Sequence, residues 1–252
     1  MNRTAILSAL PDEQLGLLEL LQQAQKTSHA GRDFWQGVLH GQPVVLALSK
    51  IGKVAAATTA TALIERFGVQ RMVFTGVAGG LGAGVRVGDV VIATDFLQHD
   101  LDVSPLFPRY EVPFYGKACF GSDTALTARL HAAACDALAA AETHRPARQF
   151  ADARVHRGLL ASGDRFVSGA AESSSLRATL AGAGHEVLAV EMEGAAVAQV
   201  CLDYGVPFAA MRTISDRADD SAHVDFSSFV EQVASQYARA IMERFLLSLS
   251  IK

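Results

Sequence analysis

The chain is poor in cysteine. It has three, Cys119, Cys135 and Cys201. They are odd in number and far apart, with no CxxC pair and no zinc-site spacing. That excludes a disulfide scaffold and predicts free thiols in a reducing compartment. No run of about 18 apolar residues occurs, so no membrane-spanning helix is expected. The opening Met1-Asn2-Arg3-Thr4-Ala5-Ile6-Leu7 has one Arg and too short an apolar run for a signal peptide. The cytoplasm is the expected compartment. No charge of one sign dominates: 22 Lys and Arg stand against 26 Asp and Glu, a net charge of −4 without a basic block. Nucleic acid and anionic membranes are therefore not expected partners.

What is there is a globular composition. Half of the 252 residues are hydrophobic and 19% are charged, which argues against disorder. A chain of this length buries roughly 70–75% of its unfolded surface, so its core needs no metal or disulfide. Twenty-one glycines without a Gly-X-Y period point to tight turns. No linker or composition break appears, and one domain over residues 1–252 is expected.

Short apolar runs alternate with helical patterns. Strands are predicted over residues 4–9, 72–76, 87–96, 155–162, 187–190 and 208–215. Residues 34–39 and 43–48 read as a hairpin around His40-Gly41-Gln42. Helices are predicted from Pro11 onward, and over 53–67, 124–141, 171–180, 192–204 and 226–247. Residues 101–120 hold five aromatics and three prolines without a period, as a long functional loop would. The alternation implies an α/β domain, a mixed central sheet flanked by helices.

Ligands of such sheets bind beyond the carboxyl ends of the strands. Polar residues gather at those ends: Asp12 and Glu13, Gly76 to Gly80, Ser162-Gly163-Asp164, Glu191-Met192-Glu193, and Ser215-Asp216. Each has an ordinary explanation. Acidic residues suit a first helical turn, and Asp216 could be a cap. Gly76 to Gly80 is neither GxGxxG nor a Walker loop. Phe166 and Phe226 are more often core aromatics than platforms. His99 and His223 lack a second ligand at metal spacing and read as satisfied surface histidines. Arg165 beside Asp164 reads as a solvated pair, and Trp35 as packing.

Seven motifs occur in order: Ser49-Lys50-Ile51-Gly52-Lys53-Val54-Ala55-Ala56, Thr75-Gly76-Val77-Ala78-Gly79-Gly80, Val87-Gly88-Asp89-Val90-Val91, His99-Asp100-Leu101-Asp102-Val103, Ser162-Gly163-Asp164-Arg165-Phe166-Val167, Ala189-Val190-Glu191-Met192-Glu193 and Arg212-Thr213-Ile214-Ser215-Asp216. Together they resemble the bacterial 5′-methylthioadenosine/S-adenosylhomocysteine nucleosidases of the nucleoside phosphorylase superfamily, from about Thr4 to Leu246. The resemblance implies a homodimeric α/β enzyme that needs no cofactor and no metal. It would hydrolyse the N-glycosidic bond of 5′-thio-substituted adenosines. Carried over by motif, Glu13 is the base that activates water and Asp216 the acid at adenine N7. Glu193 holds the ribose hydroxyls and Met192 packs on the ribose. Phe166 stacks on adenine, and the backbone at Val167 reads its edge. Arg212 and Ser215 support the water and the acid. Ile51 and Phe226 line the 5′ side, with Phe107 or Tyr110 as candidates from the long loop.

The chemistry asks for these residue types. Breaking C1′–N9 builds positive charge on the ribose and negative charge on the base. One acid must protonate N7 and one carboxylate must deprotonate water, as in glycoside hydrolysis. A further carboxylate can bind a diol and oppose the ribosyl charge. Two positions depart from the family pattern. Val77 replaces a small hydroxyl residue beside the water, and Asp12 in Pro11-Asp12-Glu13 competes with Glu13 as base.

Two rivals remain. A purine nucleoside phosphorylase of the same superfamily needs cations for phosphate. Arg71 lies about 20 Å before Val77 along an extended strand, and no Arg is expected near Val77 or Glu13. A non-catalytic nucleoside-binding protein on this fold would not need both Glu13 and Asp216.

Overall fold

The computed structural model describes residues 2–142, 152–218, 229 and 233–250. The chain forms β1 (Thr4–Ser8), α1 (Pro11–Leu18), β2 (Gln22–His29), β3 (Arg32–Leu39), β4 (Gln42–Leu48), α2 (Lys53–Glu65), β5 (Arg71–Gly80) and β6 (Val90–Gln98). It continues through β7 (Cys119–Gly121), α3 (Thr124–Glu142), β8 (Val155–Ser162), α4 (Ala170–Gly182), β9 (Val187–Glu191), α5 (Gly194–Tyr204), β10 (Phe208–Asp216) and α6 (Ser235–Ser248).

The expected mixed sheet with flanking helices is present. All five residues of β1 are buried, as a strand covered on both faces requires. It lies parallel between β4 and β5. β5 pairs with β10 as well as β9, and β10 pairs with β6, which pairs with β8, which pairs with β9. Five strands therefore close on themselves, and β1, β4, β3 and β2 extend the sheet from β5. Alanine-rich faces of α2 (Ala56, Ala60) and α5 (Ala195, Ala198) pack on one side of the sheet. Leu17 of α1, Leu130 of α3 and Phe245 of α6 pack on the other. Small residues on α2 and α5 let these helices lie close to the strands.

Several boundaries differ from the expected ones. β2 is not among the expected strands because its residues, Gln-Gln-Ala-Gln-Lys-Thr-Ser-His, are almost all exposed and show no apolar alternation. Its signal is the turn Ala30-Gly31, with φ of 48° and 70°, the left-handed pair of a tight hairpin. β5 runs on to Gly80 because β9 and β10 supply partners for its glycines. β6 starts at Val90, since Val87-Gly88-Asp89 turns, with Gly88 at φ 89°. α5 starts at Gly194 and not at Met192, because the Glu191 carboxylate accepts the Gly194 N–H at 2.8 Å and so ends the strand. Phe226, His223 and the first part of the predicted terminal helix lie outside the described residues. Among the described residues, no helix is long and apolar enough to cross a membrane.

Candidate active site

An open cleft lies at the carboxyl ends of β1, β5, β9 and β10, the edge at which ligands bind such sheets. Glu13, Ile51, Val77, Phe166 and Val167 line it, as do Met192, Glu193, Arg212, Ser215 and Asp216. The structure thus brings these ten predicted site residues to one cleft. Asp12 is exposed on the first turn of α1 and does not line the cleft.

Glu13 points back from α1 across the end of β1. Its Oε2 accepts the Ala9 and Leu10 N–H groups at 2.8 and 2.9 Å, and its Oε1 accepts the Val77 N–H at 3.1 Å. Burial pushes its carboxyl above the ordinary value, against the pull of these N–H groups and of the Arg212 charge. Asp216 ends β10 in register with Gly79 of β5. A Cβ on Gly79 would stand 2.9 Å from the Ala218 Cβ and 3.0 Å from Oδ1 of Asp216, so a side chain there would crowd that carboxylate. Asp216 Oδ1 accepts the Ala218 N–H, and Ser215 Oγ donates to Oδ2, both at 2.7 Å.

Glu193 caps α5 and accepts the Gly52 N–H at 2.9 Å. Gly52 has φ 97°, a conformation that glycine adopts without strain. Burial, and then the negative charge of Glu191, push the Glu193 carboxyl up to about 8, against Arg212 and the Gly52 N–H. Glu191 is the structural carboxylate of the pair. It accepts Arg212 Nη2 at 2.6 Å, the Glu193 N–H at 3.2 Å and the hydroxyl of Ser162. The Arg212 guanidinium also lies 4.2 Å from the centre of the Phe74 ring.

Arg212 corrects one expectation. A cation does stand near Glu13 and Val77, because β10 places Arg212 opposite Gly76. Its Nη2 is engaged by Glu191, and Nη1 donates to the Met211 carbonyl at 3.1 Å. Sequence spacing hides this pairing, since Arg212 and Glu191 meet only through the strand order. Arg71 is at the far end of β5, bonded to Thr4 Oγ1 at 2.7 Å, as expected.

Ile51 is 57% exposed and Phe166 44% exposed at the mouth of the cleft. Of the two long-loop candidates, Tyr110 is buried against Leu97 and Leu180, and Phe107 packs edge-on against Phe114; neither lines the cleft. Leu10, Phe74 and Arg165 do, and no local motif marks them for it. Arg165 and Asp164 are not a solvated pair. Arg165 Nε meets Glu172 at 2.8 Å, while Asp164 Oδ1 accepts the Lys53 N–H at 2.7 Å.

A strand ring with carboxylates converging at one end defines a class, and residues 3–247 match the sequence model of the phosphorylase superfamily. Within it, the chain belongs to the 5′-methylthioadenosine/S-adenosylhomocysteine nucleosidase family. It is 37% identical to the nucleosidases of that name from Bacillus cytotoxicus and Bacillus anthracis, over 92% of this chain and 93% of each relative. The crystal structure of the Neisseria meningitidis nucleosidase with methylthio-immucillin-A superposes with a TM-score of 0.85 at 35% identity, covering 98% of this chain and 100% of that one. A Helicobacter pylori futalosine hydrolase structure superposes with a TM-score of 0.82 at 32% identity, over 96% and 97% of the two chains.

Proposed function

We propose that this protein is a nucleosidase that hydrolyses the N-glycosidic bond of 5′-methylthioadenosine, S-adenosylhomocysteine or both, releasing adenine and a 5-thio-substituted ribose. Glu13 takes the proton of the attacking water and Asp216 protonates N7 of the leaving base. Glu193 receives the ribose hydroxyls, and Met192 packs against the sugar. Phe166 stacks on adenine, a contact worth ~1–3 kcal/mol per base, and the Val167 backbone reads its edge. Ser215 orients Asp216. Arg212 holds Glu191 and lends its charge to the ionised form of Glu13. Ile51 lines the 5′ side.

One observation carries the choice of water over phosphate. The N–H groups of Ala9, Leu10 and Val77 all donate to the Glu13 carboxylate. A phosphate would find those donors taken and a carboxylate facing it, with Arg212 already paired. The phosphorylase reading loses its anion site on these contacts. A non-catalytic binder would have no use for a buried carboxylate held by three N–H groups beside the sugar.

The test is incubation with 5′-methylthioadenosine, with and without phosphate, and identification of both products. Adenine and free methylthioribose at equal rates in both buffers are expected. The sugar 1-phosphate as main product establishes the phosphorylase instead, and no adenine establishes the binder.

We further infer that the whole chain acts as one domain and as a homodimer in the cytoplasm. Leu106 is 80% and Phe114 94% exposed, and Ile51 and Val54 at the start of α2 are exposed as well. Apolar side chains in such number support a covered surface. The free thiols Cys119, Cys135 and Cys201 suit a reducing compartment. Equilibrium sedimentation tests the dimer.

A further inference from the structure

His99 follows β6 and is no surface histidine, for it is only 8% exposed. Its main-chain N–H donates to the Ser162 carbonyl at 2.9 Å, which lays the imidazole against Gly163. A Cβ built on Gly163 would stand 2.3 Å from Nε2 and 2.4 Å from Cε1 of His99. Ring and backbone touch where no other residue leaves room. Nε2 is buried and has no hydrogen-bond partner, and an orphan of that kind calls for an explanation.

Gly163 opens the segment 163–167, which brings Phe166 and Val167 to the cleft. The far side of the segment is tied down. Gly163 N–H donates to the Glu191 carbonyl at 3.1 Å and Asp164 N–H to Asp100 Oδ2 at 2.8 Å. Lys53 Nζ meets Asp100 at 2.5 Å, while its own N–H is held by Asp164. Bonds hold Gly163 and Asp164 through their N–H groups, and the His99 ring packs against the Cα of Gly163.

We propose that His99 is a positioning residue for substrate binding, whose uncharged imidazole packs under segment 163–167 and holds Phe166 and Val167 at the cleft. The inference rests on the reading of those two residues as the adenine platform.

With no acceptor beside Nε2, a neutral ring protonated on Nδ1 leaves only a lone pair unpartnered there, which costs less than burying an unpaired N–H. A second proton would put an N–H and a full charge against the Gly163 backbone, with no acceptor there. Moving Gly163 relieves that contact and carries Phe166 with it. The charged groups around the ring are Asp100 beside it, Lys53 on α2, Glu191 at the end of β9 and Glu172 on α4. Burial holds the His99 pKa below the ordinary histidine value; Asp100, Glu191 and Glu172 favour the cation and Lys53 opposes it. Binding and protonation are then linked: a ligand that needs the ordered segment keeps His99 neutral, and acid weakens the ligand by the same factor.

The experiment is the pH profile of KM and of kcat for adenine release, in the wild type and in His99→Gln and His99→Ala, over about pH 5 to 8. In the wild type, KM is expected to rise as pH falls through the His99 midpoint. His99→Gln, which cannot be protonated, is expected to lose that acid rise. His99→Ala is expected to raise KM about tenfold at every pH, a typical coupling, with a much smaller fall in kcat. The same acid rise in His99→Gln as in the wild type, or a fall in kcat without a change in KM, overturns the proposal. Should the variants not fold, the imidazole ¹⁵N signals of the wild type decide. A proton on Nε2 at neutral pH, or a His99 midpoint that adenine leaves unmoved, also overturns it. Absence of adenine release would instead refute the nucleosidase reading, which makes the two failures distinct.

Discussion

Gly76 and Glu13 meet so closely that a Cβ on the glycine would stand 2.9 Å from Oε1 of the carboxylate and 3.2 Å from its Cδ. The Glu13 side chain, from the first turn of α1, reaches β5 only because position 76 has no side chain. The carboxylate cannot step aside at no cost, since three N–H groups hold it. Gly76→Ala is expected to displace Glu13 from those donors and lower kcat by ~10²-fold, near the lower end of a general-base contribution. The displaced carboxylate leaves donors unpaired at ~1–3 kcal/mol each, so the thermal midpoint should fall as well. Steady-state kinetics beside a melting curve check both.

Glu13→Gln isolates the base. The amide keeps one oxygen for the Ala9 and Leu10 N–H groups, but its NH₂ turns toward the Val77 N–H. A buried donor left unpaired costs ~1–3 kcal/mol, and removal of a buried charge offsets it. Turnover is expected to fall ~10²–10⁴-fold, with a small change in thermal midpoint. Asp12→Asn should do the reverse. Asp12 is exposed in the first turn of α1, where its charge is worth ~0.3–1 kcal/mol, and most of the turnover should remain. An inactive Asp12→Asn beside an active Glu13→Gln would reverse the two roles.

Asp216→Asn should separate binding from proton transfer. The amide oxygen can still accept the Ala218 N–H, and the Ser215 hydroxyl can turn to accept from the amide nitrogen. The site keeps its hydrogen bonds and loses its proton donor. A fall in kcat of ~10²–10⁴-fold is expected, with adenine binding changed far less. Near-normal kcat in a folded Asp216→Asn protein removes Asp216 from the mechanism.

The parts of this site that were legible in the sequence are those carried by contiguous runs. Pro11-Asp12-Glu13, Glu191-Met192-Glu193 and Arg212 to Asp216 sit at strand ends, and a strand end can be read locally. The parts that were not legible depend on which strand lies beside which. Glu193 accepts a hydrogen bond from Gly52, 141 residues away in sequence. Arg212 reaches Glu191 because β10 and β9 both pair with β5, so a cation expected to be absent stands beside Glu13. The burial of His99 has no local signal, because a lone polar residue after a strand gives no sign of the glycine opposite it. β2 escaped notice for a different reason: an exposed edge strand needs no apolar side chains, and period-based reading finds nothing there.

Glu193 makes stability depend on pH, and the sign follows from its environment. Its carboxyl is pushed up to about 8 by burial and by Glu191, whereas in the unfolded chain it titrates near 4.5. Between these values the native state holds a proton that the unfolded state has released. Stability therefore falls as pH rises across that window. Its contribution is fully present below about pH 4.5 and lost once the pH passes about 8. Glu13, also raised by burial, acts in the same direction. Other groups tilt the whole curve, so the informative quantity is the difference between wild type and variant. Glu193→Gln keeps an oxygen for the Gly52 N–H and cannot ionise. Its thermal midpoint is expected to gain on the wild type steadily from pH 5 toward pH 8, measured by calorimetry in matched buffers without ligand. The gain should come with a loss of ribose affinity, because the same buried carboxylate is the acceptor for the diol. A difference between the two proteins that stays constant with pH would mean that Glu193 is already ionised in the folded protein at the acid end, with Arg212 and not burial controlling its charge.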